Sequence, residues 1–337
     1  MHKFLPDKNK LEKIIDNMSN KKLLVVGDFA IDEMIYGEVN RLSREAPVLI
    51  LLHQKTDSLL GAASNAANNI SALTKGNAGA IGVLGDDFHG PVLIDTLKKA
   101  SINTDFMVVD NTRPTSVKTR ISGAAKQSVT QQIVRIDREL HSFVNSEIEE
   151  KIIQNIKNAM PSYDAVILSD YGIGMMTPNI IKTTIEEANR LNKIVAVDPQ
   201  TDLEKFQYAT VLTPNQPDTV KAVGYEIVND DTLQKAGCDL LDMTNARYIL
   251  ITRGEYGMAL FEKGKEPIKI PAFNKTSVFD VTGAGDTVVA TFTTALAAGA
   301  TASEAMYLGN LAASVVIKQF GCATISQEDL KTCISSL

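Results

Sequence analysis

The stretch Leu23-Leu24-Val25-Val26-Gly27-Asp28 is a continuous apolar run that is closed by a glycine and an aspartate. A strand of this composition has no polar face, which is typical of a parallel strand covered by helices on both sides. The same pattern recurs in four further runs, at 165–168, 194–197, 210–212 and 248–251. Helical periodicity occupies intervening and flanking segments, at 8–19, 145–159, 178–191 and 231–244. This alternation predicts an α/β fold with a doubly wound, mostly parallel sheet that is flanked by helices.

Two stretches, at 34–55 and 106–137, interrupt the alternation. They contain short β-rich segments with polar alternation and no long helix; examples are Val48-Leu49-Ile50-Leu51, Ser116-Val117-Lys118-Thr119 and Gln132-Ile133-Val134-Arg135-Ile136. We predict that these excursions pair into a small second sheet, which forms a lid on a single domain spanning 1–337. Surface hairpins that do not pair with each other are the alternative.

The composition excludes several classes of protein. Hydrophobic residues make up 44% and charged residues 22% of the 337 residues, which is typical of a globular enzyme. The net charge of -6 gives no general attraction for nucleic acid or an anionic membrane, so we expect neither as a partner. The three cysteines are far apart, the N-terminus lacks a secretory signal, and no apolar run is long enough to span a membrane. We therefore expect a cytoplasmic protein.

The segment Asp280-Val281-Thr282-Gly283-Ala284-Gly285-Asp286 leads into a helix-forming stretch that ends at Gly299. A glycine-containing turn at the start of a helix exposes backbone N–H groups and the positive end of the helix dipole, which suits an anion. Asp286 lies in the first turn, where its carboxylate could accept a proton from a hydroxyl that attacks a phosphate. On spacing alone, an aspartate that only complements the helix dipole is an equally good interpretation.

Two motifs together resemble the signatures of the ribokinase-like (PfkB) carbohydrate kinase family. The C-terminal signature, Asp-Thr-x-Gly-Ala-Gly-Asp, is matched by residues 280–286, and the N-terminal Gly-Gly turn is matched by Gly61-Ala62-Ala63-Ser64-Asn65. Alanine replaces the second glycine at position 62. The resemblance implies a ribokinase-like fold and a kinase that transfers the γ-phosphate of ATP to a sugar hydroxyl, with Asp286 as the base.

The resemblance also implies roles for further residues. Asp32, Gly61 and Asn65 would bind the sugar, while the amides of Gly283, Ala284 and Gly285 would stabilise the transferring phosphoryl group. The remaining implied ligands of ATP, of magnesium and of a potassium ion fall into three groups: Thr252, Gly254 and Gly257 along the ATP phosphates; Asn215 and Asp218 near ATP and magnesium; and Asp280, Thr282 and the turn at 321–323 near potassium.

Within the family, three lid segments are similar to those of kinases that phosphorylate D-glycero-D-manno-heptose 7-phosphate at its anomeric hydroxyl. These segments are 41–48, 114–120 and 131–137. Arg120 and Arg135 would bind the sugar phosphate, because arginine matches phosphate bidentately. Family likeness also implies a homodimer that pairs through the lid.

At two positions the sequence departs from the pattern of these kinases, so the identity of the acceptor sugar stays undecided. The related kinases carry Asp-Tyr-x-Lys-Gly and Asp-Pro-Lys, whereas this chain has Ile173 and Gln200 at the two lysine positions. A kinase for fructose or a related hexose, and a catalytically silent sugar- or nucleotide-binding relative, are therefore the alternatives. A nicotinamide-dependent dehydrogenase is disfavoured, because no Gly-x-Gly-x-x-Gly follows the first strand.

Overall fold

The computed structural model describes residues 6–124, 130–200, 202–273, 280–319 and 321–335. The helices are α1 (Lys8–Met18), α2 (Ala63–Thr74), α3 (His89–Lys99), α4 (Ser146–Ala159), α5 (Pro178–Arg190), α6 (Gln216–Val223), α7 (Asp230–Thr244), α8 (Ala284–Ala297), α9 (Ala302–Val316) and α10 (Gln327–Ser335). The strands are β1 (Leu23–Gly27), β2 (Phe29–Leu42), β3 (Leu49–Ala62), β4 (Ala78–Ile81), β5 (Val83–Gly85), β6 (Ile102–Asn103), β7 (Val108–Asp110), β8 (Ser116–Ala124), β9 (Gln131–Arg138), β10 (Ala165–Asp170), β11 (Ile194–Pro199), β12 (Val211–Leu212), β13 (Tyr248–Thr252), β14 (Met258–Glu262) and β15 (Ile268–Ile270).

The main sheet confirms the predicted fold class. Its strand order is β15-β14-β13-β12-β11-β10-β1-β4-β6. The neighbouring strands from β13 to β6 pair in parallel, whereas β14 pairs antiparallel with both β13 and β15. Alternate residues of β1 enter the two hydrophobic cores: Leu23 and Val25 pack on the side of α1, α2, α8 and α9, and Leu24 and Val26 on the side of α4, α5 and α7. Burial on both faces explains the unbroken apolar run.

A second sheet has the order β3-β2-β8-β9 and forms the lid. β2 starts at Phe29 and is separated from β1 by the single residue Asp28. β3 returns to Ala62, directly before α2. The predicted excursion at 34–55 therefore lies within a longer hairpin. Of the excursion at 106–137, residues 125–129 lie outside the described residues, and β7 pairs with β5 in a separate two-stranded sheet instead of with the lid.

The sheet ends bring polar residues to one edge. Asp28 follows β1, Asp170 ends β10, and Asp198 lies near the end of β11. Open α/β sheets bind ligands at the carboxyl ends of their parallel strands, so a binding site is expected at this edge. In the described ranges, no helix is both long and apolar enough to cross a membrane.

Candidate active site

The turn before α8 depends on one glycine. Gly283 is the N-cap of α8, with φ of 74° in the left-handed region that disfavours other residues. A Cβ atom at this position would lie 2.4 Å from Nδ2 of Asn65. Glycine thus allows both the turn and the close approach of α2, and it places Asp286 in the first turn of α8.

Asp286 is buried, with 3% of its surface exposed, and both carboxylate oxygens accept hydrogen bonds. Asn65 Nδ2 donates to Oδ2 at 2.8 Å, and the Tyr171 hydroxyl donates to Oδ1 at 2.8 Å. Burial raises the pKa of Asp286 to about 6, against the lowering effect of Asn65 and Tyr171, and the charge of Asp32 adds to the rise. A carboxylate with a pKa near 6 is ionised at neutral pH and basic enough to accept a proton.

The amide of Asn65 is itself held in place. Asn69 Nδ2 donates to Oδ1 of Asn65 at 3.3 Å and to its backbone carbonyl at 3.0 Å. Thr287 Oγ1 in turn donates to Oδ1 of Asn69 at 3.2 Å. Because Oδ1 of Asn65 accepts a bond, its Nδ2 group faces Asp286, and the network links α2 to α8.

A cavity of about 160 Å³ lies between the lid and the turn before α8; its lining includes Asp32, Arg120, Ser122, Asp280, Thr282 and Cys322. Arg120 Nη1 lies 2.7 Å from Oδ1 of Asp32, and the Cys322 thiol donates to Oδ2 of Asp32 at 3.4 Å. Gly61 packs against Asp32, because a Cβ there would lie 2.7 Å from the carboxylate carbon. The cavity offers charged and hydroxyl groups that can bind a polar molecule.

A second cavity, of about 220 Å³, is lined by Thr252, Gly254, Gly257, Phe273, Val281, Ala284, Gly285 and Asn310, among others. The turn before α8 contributes to both cavities: Asp280 and Thr282 line the first, and Val281, Ala284 and Gly285 line the second. The N-terminus of α8 lines the second cavity, and a helix N-terminus favours an anion, although the amide of Ala284 already donates to the carbonyl of Val281 at 3.2 Å.

Further carboxylates lie at the sheet edge. The pKa of Asp198 is raised well above its ordinary value by burial and by the charges of Asp286 and Asp218, and burial raises the pKa of Asp218. Asn215 caps α6, since its Oδ1 accepts from the amide of Asp218 at 2.7 Å. Across the described residues, no three or more Asp, Glu, His or Cys side chains are arranged to bind a metal directly.

The structure brings Asp280 into contact with Thr282 and Gly321 but places Arg135 outside the cavity. Burial would raise the pKa of Asp280, but hydrogen bonds from Thr282 and from the amide of Gly321 outweigh it and lower the pKa. Arg135 is the strand partner of Arg120, but its guanidinium is half-exposed and binds Asp137 at 2.8 Å. Arg135 does not line the cavity that contains Arg120.

Tyr171 and Lys205 were not predicted from the sequence. In the sequence, the segment that contains Tyr171 is distinguished by the replacement of a lysine by Ile173. That pattern does not indicate a contact between Tyr171 and Asp286. Ile173 is buried, with 4% of its surface exposed, so its side chain packs inside the protein. Lys205 forms an ion pair with Asp170, with Nζ at 2.6 Å from Oδ2.

Comparisons with known proteins agree with this geometry. A model of the pfkB family carbohydrate kinases matches residues 20–329. "Bifunctional protein HldE" of Desulfatibacillum aliphaticivorans is 40% identical over 93% of this chain and 63% of its own length. The HldE proteins of Nitratiruptor sp. and Helicobacter pylori J99 are 38% and 37% identical, over 92% of this chain and 64% and 65% of their lengths. The chain thus spans slightly less than two thirds of these relatives.

Solved structures share the fold. Arabidopsis thaliana ribokinase, complexed with ribose and ATP, superposes with a TM-score of 0.71 and 19% identity, covering 93% of this chain and 98% of its own. Escherichia coli phosphofructokinase-2, in complex with substrates and products, gives a TM-score of 0.75 and 17% identity, covering 94% and 99%. At these identities the likeness shows a ribokinase-like fold.

Proposed function

Because this chain belongs to the pfkB family of carbohydrate kinases, we propose that it transfers the γ-phosphate of ATP to a hydroxyl of a sugar phosphate, with Asp286 as the base. The observation that carries this proposal is the position of the turn before α8. Its residues line two cavities, and the buried carboxylate of Asp286 follows directly in the helix that the turn begins.

The chemistry assigned to the chain is proton acceptance and charge stabilisation. The sugar binds in the cavity lined by Asp32 and Arg120, and Asp286 accepts the proton of the attacking hydroxyl. The amides at the start of α8, from Gly283 to Asp286, stabilise the charge of the transferring phosphoryl group. Most of the acceleration then comes from positioning, because phosphoryl transfer needs little covalent participation from the protein.

The second cavity fits ATP. Thr252, Gly254 and Gly257 line it beside Ala284 and Gly285, which supports assigning the ATP phosphates to this side of the turn. Magnesium, bound with the nucleotide, would neutralise charge on the phosphate oxygens. Asp218 and Asn215, which lie together at the start of α6, would hold the ion through water.

A potassium site near Asp280 fits the lowered pKa of that carboxyl, which keeps it ionised. Potassium would supply positive charge beside the turn that begins α8. This assignment can be tested by measuring initial rates in buffers in which potassium is replaced by a larger cation, such as tetramethylammonium. We expect a lower rate without potassium, and an unchanged rate would remove the site from the proposal.

For the acceptor we propose D-glycero-D-manno-heptose 7-phosphate, phosphorylated at the anomeric hydroxyl. The lid segments that resemble the heptose 7-phosphate kinases support it, as do the HldE relatives. Arg120 lines the cavity between the lid and the turn before α8, with its Nη1 atom 2.7 Å from Oδ1 of Asp32. Lys118 lies two residues earlier on the same face of β8 and pairs with Glu139 at 2.7 Å. Arg135 lies opposite Arg120 and stays a predicted ligand.

A coupled ADP-release assay across phosphorylated and unphosphorylated sugars tests the acceptor. We expect turnover with heptose 7-phosphate and little with fructose, ribose or fructose 6-phosphate. A preference for an unphosphorylated hexose would replace the heptose with that sugar. Release of no ADP with any sugar, together with measured ATP binding, would favour the silent binding relative.

We also propose that two copies pair through the lid. The strands at its two edges expose apolar side chains, including Leu52 at 52%, Val134 at 45% and Ile136 at 44%. Exposed apolar edge strands favour association. Light scattering should give a dimer for the wild type and a monomer for Val134→Asp combined with Ile136→Asp. A monomeric wild type at micromolar concentration would contradict the pairing.

A further inference from the structure

The loop after β10 is anchored by two buried carboxylates. Asp28 Oδ2 accepts from the amides of Tyr171 at 2.8 Å and Ile173 at 3.3 Å, and its Oδ1 accepts from Met175 at 3.2 Å. Asp170 Oδ1 accepts from the amide of Gly172 at 2.9 Å. These bonds fix the backbone of the loop on both sides of the Tyr171 side chain.

The fixed loop directs one functional group at the base. The hydroxyl of Tyr171 donates to Oδ1 of Asp286 at 2.8 Å, opposite the bond from Asn65 to Oδ2. The two donors come from different elements and hold both oxygens of one carboxylate. A carboxylate that is held by two hydrogen bonds keeps its plane and its remaining lone pairs in a fixed direction.

The phenol of Tyr171 stays protonated and donates to the carboxylate. Burial raises the pKa of Tyr171 well above its ordinary value, and the charges of Asp286 and Asp198 raise it further. The hydroxyl therefore stays protonated through the pH range of an enzyme assay, and it cannot replace Asp286 as the base. Its bond to the ionised form of Asp286 favours that form and lowers the pKa of the carboxyl.

We propose that Tyr171 is a positioning residue for phosphoryl transfer, whose hydroxyl orients the carboxylate of Asp286 toward the acceptor hydroxyl. The inference rests on the proposed role of Asp286, and it gives a role to Tyr171, which the Asp-Tyr-x-Lys-Gly pattern contains without indicating a contact with Asp286. The charged and titratable groups that face Asp286 are Asp32 on β2, Tyr171 after β10, Asp198 on β11 and Cys322 after α9.

The test is Tyr171→Phe, which removes one hydroxyl and keeps the ring. We expect kcat to fall about tenfold, because the base is no longer aligned, while KM for ATP stays within about twofold. The acid limb of the rate profile should move upward by about one pH unit, because a bond that favours the ionised carboxylate is lost.

Tyr225→Phe is the matched control. Its hydroxyl also donates to a carboxylate, Asp239 Oδ2 at 2.7 Å, but on α7 and outside both cavities. We expect this variant to keep the wild-type kcat and pH profile. An unchanged profile in Tyr171→Phe, whether or not kcat falls, would overturn the positioning role.

A second readout separates this inference from the proposed function. The titration of Asp286 can be followed by carbon NMR of protein labelled at the aspartate carboxyl, assigned by its loss in Asp286→Asn. We expect Tyr171→Phe to raise the pKa of this carboxyl even if no sugar in the panel is phosphorylated. An inactive wild type would then contradict the proposed reaction, whereas an unchanged titration would contradict the contact.

Discussion

Nδ2 of Asn65 lies 2.8 Å from Oδ2 of Asp286, and this bond joins two helices at residues 221 positions apart in the chain. Asn65 belongs to the N-terminal motif and Asp286 to the C-terminal motif. The bond thus connects two motifs that are far apart in the sequence. Removing the carboxylate of Asp286 is the most direct way to test what this contact serves.

In Asp286→Asn we expect kcat to fall by about a thousandfold, because a general base contributes on the order of 10²–10⁴ to the rate. The amide can still bond to both Asn65 and Tyr171, so the fold should be kept. Steady-state kinetics give kcat, and circular dichroism with ATP titration checks folding and nucleotide binding. Turnover close to the wild type would show that another group is the base.

The pH profile should report the raised pKa of Asp286. The reaction needs the ionised carboxylate, and burial raises its pKa to about 6. We therefore expect kcat to be constant near neutral pH and to fall tenfold per pH unit below about 6. Rates between pH 4.5 and 8.5 in a constant-ionic-strength buffer give the limb. A midpoint near the ordinary aspartate value would contradict this environment.

The same shift has a consequence for stability. The carboxyl of Asp286 has a pKa of about 6 in the folded protein and 3.8 as its ordinary value. Because the folded pKa is the higher one, its contribution to stability is complete below 3.8 and is lost as the pH rises through about 6. Asp286→Asn removes this dependence. We expect the variant to melt about 2–4 °C above the wild type at pH 8 and about half as far above it at pH 5, which lies between the two pKa values.

Calorimetry of both proteins at the two pH values measures this difference. Asp239→Asn, which changes a partly exposed carboxyl on α7, serves as the control and should show no such gain at pH 8. A Tm difference that is equal at both pH values would mean that Asp286 titrates alike in the folded and unfolded chain.

The sequence predicts those features that are encoded locally. The apolar run of β1 indicates a strand buried on both faces, and Gly283 indicates a turn before a helix. The contact between Tyr171 and Asp286 has no local pattern, because it depends on how the loop after β10 folds around Asp28. Lys205 is a similar case. It pairs with Asp170 although the two are 35 residues apart in the sequence, so no motif around Asp170 indicates the contact.

Ala62 shows a departure whose cost only the backbone reveals. Its φ of 51° and ψ of -134° lie in a region that suits glycine, although the side chain is alanine. We expect Ala62→Gly to stabilise the protein by about 1 kcal/mol, since the relieved strain exceeds the added chain entropy. The control Ala67→Gly, in the interior of α2, should destabilise it by a similar amount. Urea unfolding gives both values, and a less stable Ala62→Gly would show that the alanine is not strained.

The two glycines of the turn before α8 should differ sharply. At Gly283 a Cβ would lie 2.4 Å from Nδ2 of Asn65, and φ is 74°, so alanine is both strained and obstructed. At Gly285 a Cβ would meet nothing within 4 Å, and the residue is helical. We expect Gly283→Ala to lose about 2 kcal/mol or more and to displace Asn65 from Asp286. Gly285→Ala should be as stable as the wild type or gain up to about 1 kcal/mol. Urea unfolding of both variants decides the point: equal losses would mean that the turn tolerates a side chain at Gly283, and that Asn65 does not depend on this glycine for its approach to Asp286.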